Sequence, residues 1–269
     1  MILQYKFLQL SILALFLYSI LSSIIGSFVV LRKMTYISGG ISHAAFGGLG
    51  LGVFLSLNPI LTAIPFTLLF TSFLFFIGKK FRIENDSIVS IIWSLGMSLG
   101  IIFLNFKKGY TGYLLGYLFG NVLSINIFDI SLLFMVLVLT LIIFFIFIKE
   151  FLFLSLDYEY AKIVGINSNL FDTIFYLLIT LGIVVMIKIS GVIVNIIFLT
   201  IAPLITKEIF TNIYKIVLFN FILNLFFSLT GLFISYQFDL PTGPSIVLVS
   251  ITTFIIFKIY INFMKVYER

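Results

Sequence analysis

One side chain in this sequence has a type and a setting suited to metal chemistry: His43, the chain's only histidine, in the stretch ISGGISHAAFGG at residues 37–48. Neutral imidazole is the commonest transition-metal ligand near neutral pH. If its helix begins near Met34, His43 lies roughly 13 Å inside that helix. An ionisable group so deep in a membrane must face a cavity or a partner, which indicates a function. The alternative is a histidine that bonds a neighbouring helix near the interface.

A metal site built on His43 would be sparse. Stable sites use about four ligands, and one imidazole does not supply them. A transport pathway must release the ion it binds, so a weak site is acceptable there. Ser42, backbone carbonyls, water or a second copy of the chain could complete the coordination.

Small residues surround His43 at helical spacing. Residues four apart share one face of a helix. Gly40, Ala44, Gly48 and Gly52 therefore form a stripe that lets a neighbouring helix approach closely. Gly39 and Gly47 flank His43 on the adjoining stripe, where we expect them to leave open space beside the imidazole.

Transmembrane helices must position these residues. The chain is 62% hydrophobic and 10% charged, whereas soluble domains carry roughly 25% charged residues. We predict an all-α, polytopic bundle of eight or nine spans, embedded in lipid as one domain over residues 1–269. The predicted spans are 7–31, 35–57, 60–78, 87–104, 129–148, 170–189, 191–206, 213–236 and 245–264. The half-apolar piece 112–125 is too short for a span and reads as an interfacial or re-entrant helix.

The net charge of +6 does not indicate nucleic-acid binding, because the basic residues fall between apolar runs and not on one face. They indicate orientation instead. If the loop after the first span is cytoplasmic, twelve basic residues face the cytoplasm and only Lys6, Lys107, Lys108 and Lys188 face out. The carboxyl end then lies inside. Asp172 and Lys188 fall near predicted span ends, where they can reach the interface.

The longest polar segment on the predicted inner side is 154–169. Within it Asp157, Glu159, Ala161 and Gly165 read as a short amphipathic helix. Asp157 and Glu159 lie near its amino end, where the helix dipole favours acids, and Gly165 is placed to stop it. The segment is either a docking element for a cytoplasmic partner or an ordinary solvated helix.

Two further features read as structural. Pro241 and Pro244 bracket Gly243, which predicts a rigid turn before the last span. Asn195, Asn220 and Asn224 lie inside apolar runs, where they can bond between helices.

The sequence offers little for catalysis. There is no phosphate-binding loop of the G-x-x-x-x-G-K-[ST] type and no H-E-x-x-H motif. No cysteine is present, which removes thiolate sites and disulfides. No chain of mid-span carboxylates suits a proton relay. Energy for any transport must therefore come from another chain.

Four stretches together resemble the membrane permease of metal-type ABC importers, which carry zinc, manganese or iron. They are FVVLRKMTYISGGISHAAFGGLGLG (28–52), YLFGNVLSIN (117–126), LDYEYAKIVGIN (156–167) and DLPTGPSIVLV (239–249). The resemblance implies a type II importer fold in a prokaryotic cell membrane and a homodimer, or sometimes a heterodimer. It also implies two cytoplasmic ATPase subunits and an extracytoplasmic metal-binding protein. In the family, the segment matching 156–167 meets the ATPase, and the histidine matching His43 lines the metal path.

The chain departs from the family pattern at two places. Many members carry an acidic residue where this chain has Gly39, and Pro203 falls one position late in a stretch that also holds Asn195. Manganese would prefer the missing carboxylate, so retained imidazole favours zinc as the transported ion, with no permanently bound cofactor. The alternatives are an ABC permease for a chelate such as haem, cobalamin or a siderophore, an autonomous channel or enzyme, and a secondary transporter.

Overall fold

The computed structural model of this chain describes residues 6–81, 83–107, 116–120 and 122–267. Every regular element in those ranges is helical, which confirms the all-α prediction. The helices are α1 (Lys6–Leu31), α2 (Thr35–Phe54), α3 (Pro59–Phe81), α4 (Asn85–Asn105), α5 (Ile127–Ile146), α6 (Ile148–Leu156), α7 (Tyr158–Ile163), α8 (Ser168–Phe198), α9 (Ile201–Ile209), α10 (Ile213–Phe238) and α11 (Thr242–Tyr267). Short helical turns at 116–119 and Val122–Ser124 precede α5.

Polar caps mark where several of these helices begin. Asn126 accepts a hydrogen bond from Asp129 N while the Asp129 carboxylate accepts one from Asn126 N, a capping box that starts α5. Asn167 and Asn212 cap α8 and α10 more simply, because their side-chain oxygens accept hydrogen bonds from first-turn amides. Such caps satisfy the amide groups that have no acceptor in the first turn. Apolar runs thus become helices with defined starts.

The helix ends gather at two opposite ends of the bundle. Arg32, just after α1, forms an ion pair with Asp172 near the start of α8, and Glu208 of α9 pairs with Lys258 of α11. We call this the Arg32 end. The α6–α7 segment lies there too, because Arg32 also donates to Ser155.

The opposite end holds different pairs. Lys107, after α4, donates to Ser56, after α2. Lys188 of α8 forms an ion pair with Asp129 at the start of α5. We call this the Lys188 end. Asp172 and Lys188 thus lie at opposite ends of the bundle, where the sequence places them, and each is paired with an opposite charge.

The chain reverses direction inside α8. Asn195 Nδ2 donates to Ile183 O at 3.0 Å, although twelve residues of continuous helix would separate them by roughly 18 Å. The reversal falls at Gly191, whose φ of 78° and ψ of 169° are not helical. Asn195 also accepts a hydrogen bond from Tyr18 OH at 3.2 Å, so the returning piece is tied to α1.

The returning piece, residues 192–209, completes a crossing of its own. It begins at the Lys188 end and reaches the Arg32 end, where Lys207 Nζ donates to Val30 O at 3.4 Å. Eight helical segments in the described ranges are long and apolar enough to span a membrane, and Ser168–Ile209 is one of them. Because that segment crosses twice, the described chain crosses nine times. The predicted spans 170–189 and 191–206 correspond to its two halves.

Buried asparagines join α10 to its neighbours, as the sequence predicts. Asn220 donates to Ser27 Oγ at 2.7 Å and accepts from Thr206 Oγ1 at 2.5 Å. Asn224 donates to Ser22 Oγ at 3.0 Å. These bonds tie α10 to α1 and to α9 through the apolar interior.

The predicted turn before the last span begins earlier than expected. α10 ends at Phe238, and the turn is made by Asp239, with φ of 53°, and the two residues after it. α11 already begins at Thr242, so Gly243 and Pro244 lie in its first turn, where a proline costs no intrahelical hydrogen bond. The piece 112–125 lies partly outside the described residues, and its described parts are single helical turns.

Replacing Gly191 should destabilise the fold. Its backbone angles lie in a region that is essentially restricted to glycine and costs other residues about 1–3 kcal/mol. A Cβ there would also lie 2.6 Å from Leu118 O. Gly191→Ala should therefore lower the midpoint of thermal unfolding in detergent. Gly116→Ala is the matched control, since a Cβ at Gly116 meets nothing within 4 Å. Equal midpoints for the two variants would contradict the reversal.

Single cysteines in this cysteine-free chain should report the nine crossings and their orientation. With the Arg32 end in the cytoplasm, an impermeant maleimide should label Leu57→Cys in spheroplasts. Val164→Cys and Thr211→Cys should react only after permeabilisation, because both lie at the Arg32 end. If residues 168–209 crossed only once, Val164 and Thr211 would lie on opposite sides and one of them would label without permeabilisation.

Candidate functional site

Backbone contact between α2 and α4 forms the frame of the site. A Cβ added at Gly96 would lie 2.5 Å from Ala44 Cα, and one at Gly50 would lie 2.6 Å from Gly100 O. Distances of this kind leave no room for larger residues. On its other side α2 meets α3, where a Cβ at Gly48 would lie 2.7 Å from Ala63 Cα.

The small residues of α2 that the sequence predicts to pack against other helices all contact a neighbouring helix. A Cβ at Gly40 would press on Val89 of α4, and one at Gly52 would lie 2.6 Å from Pro59 Cα of α3. Ala44 is fully buried beside Ile88 and Ile92. The stripe predicted from the sequence therefore contacts two different helices, α3 and α4.

His43 stacks on Trp93, the only tryptophan of the chain. The two ring centroids are 4.2 Å apart and the planes differ by 14°. His43 is half-buried, and Trp93 is 45% exposed on the outside of α4. Within the described residues, His43 Nδ1 has no hydrogen-bond partner. The imidazole thus keeps one buried nitrogen without a partner in the described part of the chain, while the ring as a whole lies at the partly exposed edge between α2 and α4.

The open space expected around the imidazole is filled. A Cβ at Gly39 would lie 3.3 Å from the Trp93 ring, and one at Gly47 would lie 2.9 Å from Gly96 O and 3.0 Å from Phe66. The glycines therefore admit α4 and Trp93 against α2. The expectation was wrong because the pattern within α2 carries no information about the helix that covers it.

The described chain offers no complete metal site. No three His, Asp or Glu side chains come together in the described ranges. Ser42 is fully buried, and its Oγ has no partner there. Ser42 and His43 are sequence neighbours and therefore point roughly 100° apart around the helix. One protomer thus presents His43 as its principal candidate ligand.

A row of serines lies beside Trp93. Ser90, Ser94 and Ser98 are exposed and four residues apart, so they share one face of α4. Ser90 Oγ donates to Asp86 O at 2.9 Å, which reduces the cost of a hydroxyl against lipid tails but leaves this the polar side of α4. This polar face was missed in the sequence, although serines at a spacing of four within an apolar span could have revealed it.

The segment predicted to dock a partner forms a short helix, α7, at the Arg32 end. Asp157 caps it by accepting from Tyr160 N at 2.9 Å, and Gly165 has φ of 90° just after its end. Ala161 is fully buried while Ile163 is 82% exposed. The predicted short helix is therefore present, with a single buried residue and an outer side that exposes both charged and apolar side chains. Glu159 bonds Lys162 on the exposed side, which raises the pKa of Lys162.

The sequence did not predict the ion pair of Arg32 with Asp172. Arg32 Nη1 lies 2.8 Å from Asp172 Oδ1. Burial lowers the pKa of the Arg32 guanidinium, and the charge of Asp172 opposes that effect. The sequence does show two opposite charges at two predicted span ends. Their distance along the chain gives no indication that they pair.

Nine crossings, an exposed polar face on α4 and an imidazole with one unpartnered nitrogen among the described residues are features of a polytopic membrane protein. The chain belongs to the ABC 3 transport family, whose model matches residues 4–261. It is therefore a multi-pass membrane permease subunit and not an enzyme.

Two similar proteins have names that describe manganese transport. The manganese transport system membrane protein MntC of Listeria innocua is 32% identical over 256 residues, covering 95% of this chain and 91% of the relative. The manganese import system permease protein ScaB of Streptococcus gordonii is 31% identical over 254 residues, covering 94% and 91%.

Solved structures show the same architecture. A chain of PsaBC from Streptococcus pneumoniae, determined in complex with Fab, is 28% identical with a TM-score of 0.85, covering 94% of this chain and 91% of that one. A putative metal-chelate type ABC transporter in an inward-facing conformation has a TM-score of 0.72 at 18% identity, covering 93% and 84%. That second likeness concerns the fold alone.

Proposed function

We propose that this chain is the membrane permease of an ABC importer for a divalent transition-metal ion. Two observations support the cargo. The relatives MntC and ScaB carry names of manganese systems, and His43 presents a free imidazole nitrogen inside the bundle. ATP would be hydrolysed by a separate cytoplasmic subunit, and an extracytoplasmic binding protein would deliver the ion.

Two considerations about the identity of the transported ion oppose each other. The names of the relatives favour manganese. The donor set favours zinc, because Gly39 stands where a carboxylate would serve a harder ion. Manganese is the first ion to test, and zinc is the competitor.

The permease works as a dimer in this proposal. The exposed serine row of α4 would be unfavourable against lipid, and His43 with Trp93 lies beside it. A second copy facing this surface would bring two imidazoles to a shared, hydrated passage. The two copies could then supply ligands that one chain lacks.

Transport would proceed by alternating access. ATP-driven closure of the cytoplasmic subunits would push on α7, whose exposed Ile163 and capping Asp157 suit a docking contact. The passage between the two copies would open in turn to each side. The ion would meet His43 on its way and leave again because the site is sparse.

Removing the imidazole should lower metal uptake. His43→Ala should reduce ATP-dependent uptake of Mn²⁺ into proteoliposomes by about tenfold or more, the range in which metal ligation is typically sensitive to single changes. Ser131→Ala, on the exposed side of α5, is the control. Wild-type uptake by His43→Ala at equal protein level would contradict the proposed route. Uptake of Zn²⁺ but not Mn²⁺ by the unaltered protein would show that zinc is the transported ion.

Trp93 offers a second readout of the same step. Mn²⁺ is paramagnetic, so an ion held by His43 should quench the emission of the stacked indole, which is the chain's only tryptophan. Quenching by Mn²⁺ should disappear in His43→Ala, and Mg²⁺ should not quench. Equal quenching with and without the imidazole would argue against binding at His43.

A charge on the exposed face of α7 should release the ATPase subunit. Ile163→Asp should weaken the contact by about 2 kcal/mol, the scale of a dominant interface residue, and the ATPase should no longer copurify in mild detergent. Leu57→Asp, exposed at the Lys188 end, should leave copurification intact. Retention of the ATPase by Ile163→Asp would place its docking surface elsewhere.

A further inference from the structure

Arg32 lies at a junction of three helices. Its side chain is only 2% exposed, and its guanidinium carbon lies 4.1 Å from the ring centroid of Phe175 on α8. Nη1 pairs with Asp172 at 2.8 Å, and Nε donates to Ser155 Oγ of α6 at 3.3 Å. One side chain therefore connects the end of α1 to α6 and to α8.

Asp172 extends this connection to the docking helix. Its Oδ1 accepts from Arg32, while its Oδ2 accepts from Tyr158 OH at 2.9 Å. Tyr158 is the first residue of α7. Three side chains thus link the candidate ATPase contact to the end of α1, and hydrogen bonds to charged groups of this kind are the stronger ones.

The turn after Arg32 leads directly to the candidate metal ligand. Met34 N donates to Val29 O at 2.9 Å, and Lys33 adopts φ of 57°, so the chain turns within three residues. α2 begins at Thr35 and carries His43 on its third turn. A displacement of Arg32 would therefore move the start of the helix that holds His43.

The connection borders unfilled space. A cleft of about 580 Å³, open to the surface of the bundle, has Tyr158, Asp172 and Tyr176 on one wall and Thr71 and Phe75 of α3 on the other. Close-packed contacts resist movement, and this cleft replaces such contacts between α3 and the start of α8, so it leaves room for α7 and the start of α8 to shift relative to α3.

The guanidinium also has an unused donor. Within the described residues, Arg32 Nη2 is buried without a hydrogen-bond acceptor. A buried donor in that condition is costly. A second arrangement that gives Nη2 an acceptor would therefore gain a hydrogen bond at this position.

We propose that the Tyr158–Asp172–Arg32 connection transmits the motion of the ATPase from α7 to the helix that carries His43. Tyr158 and Arg32 are then positioning residues that couple hydrolysis to transport without touching the ion. This inference rests on the proposed function, because it takes α7 as the ATPase contact.

The test is the coupling ratio, the number of Mn²⁺ ions taken up per ATP hydrolysed by the complete transporter in proteoliposomes with its binding protein. Tyr158→Phe removes one hydroxyl and keeps the ring. The ratio should fall by about tenfold, as expected when one hydrogen bond to a charged group is made in only one state. Tyr214→Phe, an exposed tyrosine at the same end on α10, should keep the wild-type ratio.

A second pair of variants separates coupling from folding. Arg32→Gln should lower the ratio, and Arg32→Lys, which keeps the charge beside Asp172, should restore part of it. A merely structural role would lower uptake and hydrolysis by the same factor and leave the ratio unchanged, which would overturn the inference. A wild-type ratio in Tyr158→Phe would overturn it equally. Failure of the proposed function would look different, since the wild-type complex itself would not couple Mn²⁺ uptake to ATP.

Discussion

Direct backbone contact between α2 and α4 is the constraint on which the candidate site depends. Lipid tails are as apolar as the helices, so association in the bilayer relies on close packing and not on the hydrophobic effect. Gly50 against Gly100, and Gly96 against Ala44, bring the two backbones together. That approach presses Trp93 onto His43 and holds the imidazole in one orientation.

The two ends of the bundle are built differently. At the Lys188 end the chain is fixed by glycines and a short ion pair, with Gly120 and Gly191 packed on one another and Lys188 bonded to Asp129. At the Arg32 end charged and aromatic side chains meet beside an open cleft. Both ends border open space, about 580 Å³ at the Arg32 end and about 500 Å³ beside Gly120. The ends therefore differ in their contacts and not in their room, because among the described residues only the Arg32 end joins its helices through a network of charged and aromatic side chains.

Much of the architecture could be predicted from the sequence because each membrane span is a continuous run of apolar residues. Apolar length gave the crossings, including the returning piece that begins at Gly191, and the pattern around Asp157 and Gly165 gave α7. The buried asparagines were also recognisable, since Asn224 has few alternatives to an interhelical bond in an apolar run.

The site itself was less predictable, because its contacts join residues far apart in the chain. His43 could be singled out by type and depth, but its stacking on Trp93 depends on which helix covers α2. Arg32 and Asp172 lie 140 positions apart, so no local sequence pattern indicates that they pair. The turn before the last helix was predicted at 241–244 but lies at 239–241. Prolines are common both in turns and in the first turn of a helix.

The reversal at Gly191 has a consequence for biogenesis. The returning piece contains Asn195, Lys207 and Glu208 and is broken between Phe198 and Ile201, so by itself it is a poor substrate for the translocon. Residues 168–190 form a long apolar helix that can enter first. The two halves should therefore be inserted as one helical hairpin, with the amide of Asn195 satisfied by the backbone of its own partner before the rest of the bundle assembles.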